Sequence, residues 1–177
     1  MLKSGLTHNA AVLKLAILMD QLLELLKTNA RATTDDLAKI LKISEADAAA
    51  RLDAFERDGT IVGYQALFDP EKSGSTIVEA VIEIKITPER GGGFDRLASR
   101  IAKFEEVVSC HLMSGSYDLL VTVQGKNLQA IGQFVAERLS TIKGVVSTAT
   151  HFRLKAYKEN GILLRREAKP ERLAVSP

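Results

Sequence analysis

Residues 76–87 read Thr76-Ile77-Val78-Glu79-Ala80-Val81-Ile82-Glu83-Ile84-Lys85-Ile86-Thr87. The even positions from Val78 to Ile86 are apolar, while Glu79, Glu83 and Lys85 hold odd ones, the period-2 signature of a strand with one covered face. Working outward, Phe94, Leu97, Ile101 and Phe104 fall at helical spacing. Val107 to Met113 and Tyr117 to Gln124 read as two strands around a tight Ser114-Gly115-Ser116 turn. Leu128, Ile131, Val135, Leu139 and Ile142 predict a second amphipathic helix, and Val145 to Tyr157 a long last strand. The order β-α-β-β-α-β predicts a ferredoxin-like sandwich, two helices covering one face of a four-stranded sheet. The other face, with Ile77 and Val81 among polar residues, is left for solvent or a second subunit.

Upstream, the pattern changes character near Asp69-Pro70-Glu71-Lys72-Ser73-Gly74, the predicted domain joint. Before it, apolar residues recur at helical spacing over Val12 to Lys27, Thr34 to Lys42 and Ser44 to Arg57. Thr34 and Ser44 are N-cap candidates, because a short hydroxyl side chain accepts from the unpaired N–H groups of a first turn. Asn29-Ala30 and Asp58-Gly59 supply the stops, Gly59 standing where a left-handed C-cap needs no side chain. The second and third helices make a helix-turn-helix whose expected core is Leu37, Ile40, Leu41, Ile43, Leu52 and Phe55. Ile61 to Phe68 then reads as a strand or hairpin arm that could serve as a wing. The predicted fold class is α+β: a winged helix-turn-helix over residues 8–65, a linker over 66–75, a ferredoxin-like domain over 76–158 and a tail over 159–177.

The 177 residues are 46% apolar and 26% charged, which supports a real core and excludes a disordered chain. A single cysteine, Cys110, cannot form an internal disulfide, and no Cys/His spacing resembles a zinc site, so a reducing cytoplasm is expected. The most apolar stretch, Ala10 to Leu26, is interrupted by Lys14, Asp20, Gln21 and Glu24, whereas a membrane span needs about 20 nearly uncharged residues. No A-x-A-like cleavage site follows a short apolar run, and a signal peptide is not expected.

On a helical wheel with Ala48, Leu52 and Phe55 inward, the third helix turns Ala46, Ala49, Ala50, Asp53 and Arg57 outward. Base edges are read by Arg, Lys, Asn or Gln, while Ala can only touch a thymine methyl. From Ser44 to Asp58 two arginines face five carboxylates. Phosphate attraction would then rest on Arg31, Lys39, Lys42 and Arg51, or on an assembly that multiplies weak contacts. A bare tri-helical unit serves equally as a protein-contact module. The formal charge of +2 divides as −1 over residues 1–65, −1 over 66–150 and +4 over 151–177, so the half expected to meet DNA has the wrong sign.

Ser114-Gly115-Ser116-Tyr117-Asp118 is the second constellation. A Gly-containing turn followed by Asp can offer N–H donors to a carboxylate and a carboxylate to an ammonium, which together suit an α-amino acid. Equally, Gly115 can merely permit the turn while Asp118 bonds the backbone. His111 beside Cys110 points to the opposite face of a strand, so the pair reads as an exposed imidazole and a buried thiol rather than a reactive couple. Gly91-Gly92-Gly93 lacks the Lys-Ser/Thr of a phosphate loop and reads as a lead-in to the next helix. The tail from Arg165-Arg166 to Pro177 could touch DNA or a neighbour, and reads first as a mobile terminus.

The sequence resembles the Lrp/AsnC family, the leucine-responsive or feast/famine regulators. The likeness lies in Leu22-Leu23-Glu24-Leu25-Leu26, Asn29-Ala30-Arg31, Asp36-Leu37-Ala38, Arg51-Leu52, Phe55-Glu56, Gly59-Thr60-Ile61-Val62-Gly63-Tyr64, Leu112 to Asp118 and Gly144-Val145-Val146-Ser147-Thr148, in order from about residue 12 to 158. It implies a non-enzymatic, amino-acid-responsive transcription regulator, a homodimer or octamer without a cofactor, whose assembly a small effector tunes. The DNA-facing set on double-stranded DNA would be Arg31, Thr34, Lys39, Lys42, Ser44, Ala46, Ala49, Ala50, Arg51 and Arg57. The G-x-x-D loop looks like the family's effector loop, Ser114, Gly115, Ser116, Tyr117 and Asp118, with Asp118 taking the ammonium. Leu112, Leu128, His151 and Phe152 match positions that influence the effector response, and Thr148 and Thr150 lie on a strand near that pocket. His151 departs from the aromatic or aliphatic residue more usual there; a lone strand histidine reads first as a half-buried polar residue, and only a sensing role for it would add a pH dependence. One competing reading is a metabolite sensor acting through protein contacts with weak or lost DNA binding. Another is an enzyme like the siroheme decarboxylases, although no cluster of basic and His residues stands ready for a tetrapyrrole.

Overall fold

Thr33 and Ser44, each followed three residues later by an aspartate, start the two helices of the helix-turn-helix. The computed structural model describes residues 21–88 and 93–164, which divide into two units between Leu67 and Phe68. The first unit holds α1 (residues 21–28), α2 (Thr34–Leu41) and α3 (Glu45–Arg57). The rest of the expected Val12 to Lys27 helix lies outside the described residues, as do Gly91, Gly92 and the tail from Arg165.

The cap of α2 is Thr33, not Thr34. The Asp36 N–H donates to Thr33 Oγ1 at 3.1 Å and the Thr33 N–H donates to Asp36 Oδ2 at 3.1 Å, a capping box that satisfies two otherwise unpaired donors. Those bonds, the Thr33 side chain foremost, hold the Asp36 carboxyl below the ordinary aspartate value. Thr34 is instead the first helical residue, and its hydroxyl donates to Glu45 Oε1 at 3.0 Å. Ser44 caps α3 as expected, accepting from the Asp47 N–H at 3.0 Å. Between the helices Lys42 takes a left-handed conformation, φ 55°. Leu22, Leu26, Leu37, Ala38, Ala48 and Phe55 form the core, with Leu41, Ile43 and Leu52 packed on it. Ile40 does not join them and is 59% exposed. At 100° per residue it falls outside the stripe defined by Leu37, Ala38 and Leu41.

The expected wing strand, Ile61 to Phe68, forms no ladder among the described residues. Its first N–H, from Ile61, returns to the Phe55 carbonyl at 3.0 Å, and the Tyr64 hydroxyl donates to Glu56 Oε1 at 2.8 Å. A strand needs a neighbour for its backbone groups, and no described strand of this unit provides one.

The second unit comprises α4 (Pro70–Ser73), β1 (Val78–Ile86), α5 (Asp95–Ile101), β2 (Val107–Leu112), β3 (Leu119–Gly125), α6 (Leu128–Gln133) and β4 (Val145–Phe152), then the short strands β5 (Lys158–Glu159) and β6 (Ile162–Leu163). The four long strands pair antiparallel in the order β2-β3-β1-β4, the predicted ferredoxin-like topology. Ala80, Ile82, Ile84 and Ile86 face Leu97 and Ile101 of α5 and Ile131 of α6 through a core shared with Leu119, Val121 and Val123. The residue-by-residue alternation of β1 therefore points its apolar side at the helices.

Three predicted details change. The second helix passes from α6 into a π-helical turn, Phe134–Leu139, where the Ser140 N–H reaches the Val135 carbonyl five residues back at 2.8 Å. This wider turn lets Phe134 and Leu139 share the buried face, and Leu128, expected on it, is 56% exposed. The β2–β3 turn spans residues 113–118, closed by the Met113 N–H on the Asp118 carbonyl at 2.8 Å. Finally, the last strand ends at Phe152 rather than Tyr157. Beyond it β5 and β6 pair through Asn160-Gly161, both at positive φ (44° and 85°), the backbone that an Asn-Gly hairpin turn requires.

Candidate DNA interface and effector loop

On the helix-turn-helix, Arg31, Lys39 and Lys42 are exposed cations, of which Lys39 is paired within α2. Lys39 Nζ lies 2.5 Å from Asp35 Oδ2, and that hydrogen bond raises its pKa above the ordinary lysine value. Arg51 differs from the other candidates: its side chain is half-buried, and Nη1 is enclosed with no hydrogen-bond partner. Ala46 and Ala50 are exposed on α3 beside Asp53 and Arg57, while Ala49 is half-buried. Thr34 and Ser44 spend their hydroxyls on Glu45 and on the α3 cap. Across residues 21–67 six Lys and Arg face eight Asp and Glu, so the unit as described attracts phosphate weakly.

In the second unit the candidate effector residues fall into separate groups. Opposed residues of an antiparallel pair share a face, so Leu112, Thr148, Thr150 and Phe152, paired with Leu119, Ile84, Ile82 and Ala80, all lie on the helix side. His151 pairs with Val81 on the open face, where its Nε2 lies 3.5 Å from Glu83 Oε1. Asp118 is half-buried at the mouth of β3. Its carboxylate accepts from the Ile86 N–H at 2.8 Å, and its own N–H donates to the Ile84 carbonyl at 2.9 Å. Ile84 in turn pairs with Thr148, which places Thr148 and the 113–118 loop at one end of the sheet. Phe152 pairs with Ala80 four residues along, and Leu128 follows the far end of β3. Four residues of strand separate the two ends by about 13 Å. One subunit thus brings Ser114, Gly115, Ser116, Tyr117 and Asp118 near Thr148, and leaves Leu128 and Phe152 at the other end. Cys110 sits on the helix side, its thiol 3.9 Å from the Ala98 carbonyl and pushed up in pKa by burial, whereas His111 is exposed on the open face.

The comparisons with known proteins follow the same division. Residues 21–62 match a winged helix-turn-helix DNA-binding model, and residues 79–163 match the Lrp/AsnC ligand binding domain. An HTH-type transcriptional regulator of Bacillus subtilis, YugG, is 41% identical over 158 residues, covering 89% of this chain and 95% of that one. The chain belongs to the Lrp/AsnC family of transcriptional regulators. A more distant relative, the leucine-responsive regulatory protein of Klebsiella pneumoniae, is 28% identical over 78% of this chain and 84% of its own. Among solved structures, a transcriptional regulator of Neisseria meningitidis in complex with L-Met superposes with a TM-score of 0.64, is 27% identical and covers 80% of this chain and 91% of its own. Among the described residues no helix is long and apolar enough to cross a membrane.

Several contacts of this Lrp/AsnC chain were not read from its sequence. Asp36 at the third helical position marks Thr33, one residue before Thr34, as the cap through a capping box. Ile86 as the partner of Asp118, and Glu83 as that of His151, depend on strand register and have no local signal. The 158–163 hairpin had one, the Asn160-Gly161 pair.

Proposed function

We propose that this Lrp/AsnC protein is a cytoplasmic, DNA-binding regulator that senses an amino acid through the 113–118 loop and changes its assembly in response. The observation that carries this reading is the fixed Asp118 carboxylate, anchored through one oxygen to the Ile86 N–H beside the Gly115 turn, where φ is +140°. An anchored carboxylate next to a run of backbone N–H groups complements an ammonium and a carboxylate on one α-carbon. The Neisseria relative's L-Met supports the ligand class. Because Leu128 and Phe152 stand at the other end of the same sheet, an effector touching the whole candidate set would bridge two subunits, and His151 would act from the open face that a second subunit covers. A ligand that prefers one arrangement of subunits shifts the population of assemblies and with it the spacing of paired α3 helices.

The test is isothermal titration of the full chain with the twenty L-amino acids, paired with light scattering for mass. Saturable binding of at least one, with a change of mass or of DNA affinity, is expected. No binding by any of them would overturn the sensing role. The exposed alanines and the carboxylate excess of the helix-turn-helix favour a second reading, a sensor that has lost most of its DNA affinity. Anisotropy titrations of duplex DNA across a salt series separate the two.

A further inference from the structure

Resting on the reading that a second subunit covers the open face of the sheet, we infer that this covering takes up a proton between Glu83 and His151. Assembly then strengthens as the pH falls through the histidine range. His151 Nε2 lies 3.5 Å from Glu83 Oε1, with the two side chains 60% and 36% exposed. Glu83 stands on β1, flanked by β3 and β4, so its carboxylate is near the middle of the face, whereas His151 stands on the outer strand β4. Register fixes the pair: Val81 opposes His151 and Glu83 opposes Ala149, which puts the imidazole one diagonal step from the carboxylate.

Among the described residues, the other ionisable groups of this face are committed elsewhere or stand farther off. Glu79 Oε1 lies 2.5 Å from Arg153 Nη2, and Glu79 Oε2 accepts from Gln124 Nε2 at 3.2 Å. Arg153 also donates to Glu159 Oε2 at 2.9 Å. Asp118, ahead of β3, is held by the Ile86 N–H at the end of the sheet. Lys85 is exposed two residues beyond Glu83, about 7 Å along β1. His111 of β2 opposes Leu120 and is separated from Glu83 by β3, about 10 Å away. β3 turns Leu120, Thr122 and Gln124 to this face, with no charge among them.

In the free chain the pair is solvated and contributes little. Under a second copy the balance changes. A carboxylate removed from water carries a large desolvation cost, which a counter-charge in contact offsets and a neutral imidazole does not. The covered state therefore holds the proton more tightly than the open one, and proton uptake and assembly favour each other. The contribution is complete below the ordinary histidine value of about 6.5 and is lost as the pH rises through the higher value of the covered pair. Charge favours a second copy as the occupant: Glu79 and Glu83 are balanced on this face by Lys85 and Arg153, so two copies meet without net repulsion.

The experiment pairs sedimentation for mass with urea melts of the full chain at pH 5.5 and pH 8, circular dichroism confirming the fold. Thr122→Arg, a bulky cation on the same face, is the uncovered reference. The gap between its midpoint and that of each test protein reads assembly however tight it is. Wild type is expected to hold its second copy about tenfold more tightly at pH 5.5 than at pH 8 for each covered pair. Glu83→Gln and His151→Gln are each expected to abolish that dependence, and His111→Gln to keep it. Assembly equally strong at both pH values, or a dependence that survives His151→Gln or vanishes in His111→Gln, overturns the inference. If Thr122→Arg keeps the wild-type mass, no second copy covers the face, and the underlying reading falls with the inference. A smaller mass for Thr122→Arg beside a pH-independent wild type overturns the inference alone.

Discussion

The Asp118 carboxylate extends the β3 side of β1 past the end of their ladder by accepting from the Ile86 N–H at 2.8 Å, just where the β1–β4 register shifts between Lys85 and Ile86. The β1–β3 ladder ends at the Ile84–Leu119 pair, so a side chain takes over where the backbone partner stops. The proposed ligand group is thus also a structural one, and the two roles predict different mutants.

Asp118→Asn keeps an acceptor for Ile86 and removes the charge, so its melting point is expected to stay near wild type while amino-acid affinity falls at least tenfold. Asp118→Ala loses both and is expected to cost about 1–3 kcal/mol of stability, the range for stranding a buried donor. Urea melts and calorimetry on both variants check this. Equal ligand affinity in wild type and Asp118→Asn would leave the carboxylate with its structural role alone.

Gly125→Ala tests the junction of β3 with α6. A Cβ at this position would lie 2.9 Å from Ile131 Cγ1, the near end of a β-branched side chain that is only 2% exposed. Relief requires moving the helix or the strand, and overpacking of this kind costs about 1–3 kcal/mol. A lowered urea midpoint for the ligand-binding domain is the expected reading, and a midpoint equal to wild type would show that α6 gives way freely.

Thr33→Ala and Ser44→Ala each remove a helix cap and are expected to destabilise the helix-turn-helix by about 1 kcal/mol, seen as a lowered thermal midpoint. The box also has a pH signature. Asp36 is held below its ordinary value of 3.8 chiefly by the Thr33 side chain. Its contribution to stability is complete above that pH and disappears as the pH falls through the lower folded value. Thr33→Ala should raise the Asp36 midpoint in an NMR titration, and an unmoved midpoint would count against the capping bond.

The reading head of α3 predicts a gain as well as losses. Ala50 is exposed, so Ala50→Lys adds a second cation beside Arg57 to the outward face of α3, and it should tighten binding to any duplex and steepen the salt plot by about 0.9. Arg51→Gln should act mainly on stability, since the Arg51 guanidinium is partly enclosed. Filter binding and thermal melts separate these effects. A salt plot unmoved by Ala50→Lys would mean that α3 does not approach DNA.

The helices, the strand order and the Gly115–Asp118 loop were legible because their signals are local. Period-2 alternation in β1, a Ser followed three residues on by Asp at α3, and a Gly-containing turn between two apolar runs all act within a few residues. Ile40 misled because helical spacing admits a residue at the edge of the buried stripe, and only packing against α1 and α3 decides which edge is covered. Phe134 carries no such signal: the π turn over Phe134–Leu139 changes the helical repeat and brings it into the core, where regular helical spacing favours Val135.

By itself, the sequence determined the α+β class, the family resemblance, the ferredoxin-like order and the wrong sign of charge on the DNA-binding half. Tertiary structure decided which groups meet: Asp118 with Ile86, and His151 with Glu83 on the opposite face from Thr150 and Phe152. These are long-range contacts, set by strand register, and no pattern of neighbouring residues encodes them.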